Sequence, residues 1–171
     1  MEPAHRRSEE EGTDRATVGV ISDTHGLLRP EAVAALARSD LIIHCGDIGT
    51  PDVIAGLRQI APVVAIRGNV DRGAWAEEFP TTRVVEAAGA LLYVLHDLAE
   101  LDLDPAAAGF RAVLAGHSHR PQVERRGGVL FVNPGSAGPR RFHLPVAVAG
   151  IRIASGRVSA GVVPLAVASA R

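Results

Sequence analysis

The 171-residue chain contains no lysine; all 18 of its basic residues are arginine. That excludes a lysine nucleophile or Schiff base. It has one cysteine, Cys45, so no disulfide can form within the chain, and no partner motif beside Cys45 marks it as a nucleophile. Aromatic residues make up 4%, too few for a base-stacking surface. No apolar run approaches the roughly 20 residues of a membrane helix, which excludes a membrane-spanning reading. The first residues lack the apolar core of a secretory signal, and the expected location is cytoplasmic. Residues 1–16 hold five acids and three arginines and read as a flexible charged tail before a single domain over 17–171. That body carries 15 arginines and 14 acids, so nucleic acid is not an expected partner.

What the chain does have is a regular alternation. Residues 17–22, 41–46 and 63–66 are short apolar, mostly β-branched runs, each bounded by glycine or polar residues. Such runs predict central strands buried on both faces. Helices are expected between them over 30–37 and 51–58, the second with Thr50 as N-cap and Pro51 at the first helical position. The second half predicts strands over 83–87, 91–95, 111–115, 121–125, 129–132, 146–153 and 157–163, with turns at Gly127-Gly128 and Ser155-Gly156, and a helix over 104–109. The pattern is α/β: two packed, mostly mixed sheets with helices outside.

The chemistry-bearing residues fall where strands end. Asp23 and His25 follow the first run and Asp47 the second; Asn69 follows the third. His96 follows 91–95, and His117 and His119 follow 111–115. Strand ends in an open α/β sheet bring distant residues together. Imidazole nitrogen and carboxylate oxygen suit divalent transition ions. Seven groups are too many for one tetrahedral centre but fit two centres sharing a carboxylate. Two divalent ions, two carboxylates and a bridging hydroxide would leave one positive charge, which suits an anionic phosphate. Two such ions clamp an in-line displacement and acidify water.

The series Asp23-x-His25, Gly46-Asp47, Gly68-Asn69-x-Asp71, His96 and Gly116-His117-Ser118-His119 resembles the calcineurin-like metallophosphoesterases. Cys45-Gly46-Asp47, Asn133-Pro134-Gly135-Ser136 and the short length resemble their compact YfcE-type phosphodiesterase branch, over residues 18–163. The resemblance implies a four-layer α/β/β/α sandwich. It implies one ion on Asp23, His25 and His119, a second on Asn69, His96 and His117, and Asp47 between them. Asp47, Asn69 and His117 are the residues expected to carry catalysis. The metal implied is Mn, with Ni, Fe and Zn as alternatives, and the substrate a small phosphate ester. Ser136 and Arg140, in the positions relatives use, are candidate phosphate contacts.

Two positions depart from that pattern. Larger relatives carry a histidine after the Gly-Asn asparagine, proposed to protonate the leaving group; here it is Val70. Relatives usually carry glycine after the strand histidine; here it is Asp97, whose carboxylate would lower the site's positive charge. His44 reads as a supporting histidine near Asp47, and Asp71 as a brace for the Asn69 loop, or else an acid near the leaving group. The leading expectation is a phosphodiesterase acting through a metal-bridging hydroxide. The alternatives are a phosphomonoesterase and a non-catalytic scaffold like the Vps29 retromer subunits. Oligomeric state stays open, a homo-oligomer included.

Overall fold

The structure, a computed structural model, describes residues 14–168. In chain order the elements are β1 (Arg15–Ile21), α1 (Pro30–Leu36), β2 (Leu41–His44), α2 (Pro51–Arg58), β3 (Val63–Ala65), β4 (Thr82–Ala87), β5 (Ala90–Leu95), β6 (Ala112–Leu114), β7 (Gln122–Arg126), β8 (Val129–Asn133), β9 (Ala147–Ala154) and β10 (Arg157–Pro164). Short 3-10 turns lie at Ala76–Glu78 and Leu98–Glu100. The strands form two five-stranded mixed sheets, ordered β10-β9-β1-β2-β3 and β4-β5-β6-β8-β7. Most of the expected charged tail lies outside the described residues; Arg15 and Ala16, at its end, already belong to β1.

Period-two alternation divides each strand between two cores. From β1, Val18 and Val20 face the second sheet and meet Leu92, Val94, Leu114 and Leu130 there. Ile21 points the other way, with Ile42, onto Leu36 of α1 and Ile54 and Leu57 of α2. Each fully buried aliphatic side chain contributes roughly 1.5–3 kcal/mol, so both faces of the first sheet are strongly specified. Thr50 occupies the N-cap position of α2, but its hydroxyl makes no capping bond; Pro51 starts the helix.

Three expectations change. β3 is an edge strand of three residues, with Val63 and Val64 only half-buried. Residues 104–109 form a single turn instead of a helix. Asp104 Oδ1 accepts the Ala106 and Ala107 amides at 3.0 and 3.2 Å, and Gly109 ends the turn at φ +84°. Six residues are too few to offset helix nucleation, and Ala106 to Ala108 are exposed, with no core to bury against. As a consequence the fourth layer is thin: Leu98 and Leu101 cover Leu95 and Val113 on the outer face of the second sheet.

Strand direction gathers the site. β1, β2 and β3 run parallel, with Ile21 opposite His44 and His44 opposite Ala65. Their following loops therefore leave at one end. β5 and β6 are parallel in the second sheet, Val94 opposite Leu114, and their loops join the same end. The Asp23 amide donates to the Gly46 carbonyl at 3.0 Å, and the Gly116 amide to the His96 carbonyl at 2.9 Å.

Candidate metal centre

Five of the eight described non-glycine residues with left-handed backbone are Asp23, His25, Asp47, His117 and His119, at φ between +46° and +67°. Each such residue costs of order 1–3 kcal/mol and persists where its surroundings over-determine it. The bend at each position turns a side chain from the strand axis into the space between the loops.

Asp23 is fully buried. Its Oδ2 accepts the Ser22 hydroxyl at 2.7 Å and the His117 amide at 3.1 Å. Its Oδ1 lies 3.1 Å from His119 Nε2 and 3.9 Å from His25 Nε2, yet accepts no hydrogen bond. His25 Nε2 is also buried without a partner, 3.9 Å from Asp47 Oδ2. Burial holds His25 below the usual imidazole range, against the pull of Asp47 and Asp23, which keeps a lone pair available. Buried polar atoms are rarely left unpaired. Two of them aimed at one point among carboxylates and imidazoles fit a cation held between them.

His96 shows how the second cluster is oriented. Its Nδ1 lies 2.7 Å from the Cys45 carbonyl; only a protonated Nδ1 satisfies that contact, so Nε2 is turned toward Asn69 Oδ1 at 3.1 Å and Asp47 Oδ2 at 3.3 Å. Burial would lower the His96 pKa, but the contact with Asp47 and the bond to Cys45 push it up to about 9. Burial likewise opposes charge on Asp47, while His96 and the Val70 amide, 3.1 Å from Oδ1, hold its carboxyl below the usual range. Two oxygens converging on one ring nitrogen demand a positive charge between them, a proton or a metal ion. Donor atoms of Asp23, His25 and His119 lie within 4.8 Å of one another, as do those of Asp23, Asp47 and His96.

His117 stands at the open side, 46% exposed, its ring centroid 5.2 Å from that of His96. Its Nε2 is 3.7 Å from Asp97 Oδ2, so Asp97 does face the cluster; its Oδ1 caps the following 3-10 turn at the Ala99 amide, 3.0 Å away. Asp71 is a brace: its carboxylate accepts the amides of Ile48, Gly49 and Gly68 at 3.1, 2.9 and 2.8 Å. Ser136 is buried and its hydroxyl donates to the Asp23 carbonyl at 2.9 Å, which commits it to holding that loop. Arg140 is exposed and makes no hydrogen bond or ion pair among the described residues. Cys45 is buried, and burial pushes its thiol pKa far up, an inert packing role.

Sequence reading missed Ser22, Thr24 and the Cys45 carbonyl, which orient Asp23, His44 and His96. It also missed Arg141, whose charge helps keep His25 neutral. Hydroxyls and carbonyls next to a ligand carry no pattern of their own, so no spacing marked them.

Comparison with known proteins identifies the family. The calcineurin-like phosphoesterase superfamily domain matches residues 17–156. A probable metallophosphoesterase of Methanothermobacter thermautotrophicus is 34% identical over 131 residues, 70% of this chain and 76% of that protein. Among solved structures, the phosphoesterase YfcE of E. coli superposes with a TM-score of 0.63 at 22% identity, covering 87% of this chain and 99% of its own. Vacuolar protein sorting 29 of Cryptosporidium parvum superposes with a TM-score of 0.71 at 18% identity, covering 87% and 97%. With a domain match over most of its length and a relative above 30% identity, the chain belongs to the calcineurin-like phosphoesterase superfamily.

Proposed function

We propose that the chain is a two-metal phosphodiesterase. Asp23, His25 and His119 would hold one divalent ion, Asn69, His96 and His117 the other, and Asp47 would bridge. The observation that carries this reading is the pair of buried atoms without partners, Asp23 Oδ1 and His25 Nε2, converging beside Asp47 and His119. Two bound divalent ions would acidify water and neutralise phosphate charge. The chain's own part is orientation. Cys45 fixes the His96 ring, Asp71 and the Val70 amide fix the loops of Asp47 and Asn69, and exposed His117 would meet the phosphoryl group.

The preference for a diester rests on charge at the mouth. Arg67, Asn69 and Thr81 line it with His117, but so do Asp97 and Glu100. Two carboxylates repel a dianionic monoester more than a monoanionic diester. No histidine follows Asn69, and Val70 is exposed, so protonation of the leaving group is weak and activated esters are the better substrates.

The test is hydrolysis of bis-p-nitrophenyl phosphate and p-nitrophenyl phosphate by metal-stripped protein, with and without Mn, Ni, Zn and Mg. Diester cleavage restored by Mn and lost in Asp47→Ala and His117→Ala is the expected result. Folded, metal-loaded protein without turnover would overturn it and favour an interaction scaffold.

A further inference from the structure

The thin fourth layer leaves a second feature next to the metal centre. Leu98, Val113, Ala115 and Phe131 form an apolar pocket of about 220 Å³ on the outer face of the second sheet, closed on one side by Arg126. The Arg126 guanidinium lies 4.9 Å from the Phe131 ring centroid, a stacked arrangement that guanidinium planarity allows. Its Nη2 donates to Glu124 Oε2 at 2.7 Å. Residues 115, 116 and 118 carry the pocket to the loop that bears His117, and Asp97 lines both the pocket and the mouth of the metal centre.

Several polar side chains around the pocket are engaged with neighbours. Asn133 Nδ2 donates to the Gly116 carbonyl at 2.8 Å and to Ser118 Oγ at 3.0 Å. Gln122 donates to Glu124 at 2.9 Å, and Asp97 is engaged with Ala99. Each of these side chains is held by a neighbour, and the wall between them is apolar. That apolar wall suits a planar ring. An apolar cavity of about 150 Å³ accepts benzene, so this one has room for a single ring. The Asp97 carboxylate between the two spaces keeps an anionic phosphoryl group on the histidine side.

From this juxtaposition we infer that the pocket is a specificity subsite that takes an aromatic ring on the retained side of a phosphodiester. The inference rests on the phosphodiesterase reading above for its substrate but not for its test. Two diesters with the same leaving group are compared, p-nitrophenyl phenyl phosphate and p-nitrophenyl methyl phosphate, each kcat/KM normalised to its rate with hydroxide. Binding of phenylphosphonate and methylphosphonate to the Mn-loaded protein is measured by calorimetry alongside. The expected result is a preference of about 10-fold for phenyl in both measurements, falling toward unity in Phe131→Ala and in the pocket-filling Ala115→Phe. Should Ala115→Phe fail to fold, Gln122→Trp on the exposed edge strand narrows the opening instead. Equal handling of phenyl and methyl by the wild type, or a preference that survives these substitutions, would overturn the subsite. If neither diester turns over, the phosphodiesterase reading fails, and the phosphonate comparison alone decides the pocket by the same criteria.

Discussion

His44 Nε2 and Thr24 Oγ1 lie 2.9 Å apart at the buried seam between the first two strand-end loops. The Gly46 amide donates to His44 Nδ1 at 3.2 Å, so the ring proton sits on Nε2 and is donated to Thr24. The Thr24 hydroxyl in turn donates to the Ile48 carbonyl at 2.8 Å. Every link has one donor and one acceptor, and the chain closes only around a neutral imidazole. Both loops carry candidate ligands, Asp23 and His25 on one and Asp47 on the other, so this relay sets their spacing.

A pH dependence follows. Burial holds the His44 pKa down at about 4, with Asp23, Asp71 and Asp47 pulling it up less strongly and His96 adding to the depression. A histidine depressed on folding stabilises fully above its unfolded pKa of about 6.5, and that contribution is lost as pH falls toward 4. At about 1.4 kcal/mol per unit, roughly 3 kcal/mol disappears across that window. Urea unfolding of wild type and His44→Gln at pH 7 and pH 5, with chelator present, should show the gap between them narrowing at pH 5. Parallel losses in the two proteins would rule His44 out as the titrating group.

Asp71→Asn should be costly although it changes one atom. The new amide NH₂ would face backbone N–H groups that the carboxylate now accepts from Ile48, Gly49 and Gly68. An unsatisfied buried donor costs about 1–3 kcal/mol, a drop in Tm of roughly 2–12 °C for a chain this size. An unchanged Tm with an altered pH–rate profile would instead return Asp71 to the role of acid near the leaving group.

Gly68 and Gly161 make a matched pair for alanine substitution. A Cβ at Gly68 would collide with Asp47 Oδ1 and the Asp47 amide nitrogen, whereas one at Gly161 meets nothing within 4 Å. Gly68→Ala should lose at least about 2 kcal/mol and bind less metal per chain by elemental analysis. Gly161→Ala should stay within about 1 kcal/mol of wild type, on the stable side. Full metal content in Gly68→Ala would show that the Asp47 loop can move aside.

Asp97→Asn retains an oxygen for the Ala99 amide and removes the charge 3.7 Å from His117 Nε2. Solvent screens a partly exposed carboxylate, so a change of several-fold is expected, not one of orders of magnitude. KM for p-nitrophenyl phosphate should fall more than KM for bis-p-nitrophenyl phosphate, because the monoester carries more negative charge. Equal changes for both esters would mean that Asp97 does not select against monoesters.

The strand boundaries expected from sequence lie within two residues of those observed, and both hairpin turns are where glycine placed them, Gly127-Gly128 and Ser155-Gly156 having positive φ. These features are local: β-branched runs, proline at helix starts and glycine in turns act on their own few residues. The segment 104–109 misled because alanine propensity is also local, while a helix that short needs a surface to bury, and none is there.

The order of ligand blocks along the chain belongs to the sequence, since each block must follow a strand to reach the common end of the sheets. Which atoms are left unpaired was decided only by tertiary structure. His96 and Cys45 are 51 residues apart and follow strands of different sheets; Ser136 meets the Asp23 carbonyl across 113 residues. Hydrogen bonds of that separation depend on how two sheets stack, a relation between faces that a linear pattern does not encode. The same stacking, with a fourth layer too thin to cover Phe131, opened the pocket beside the candidate metal centre.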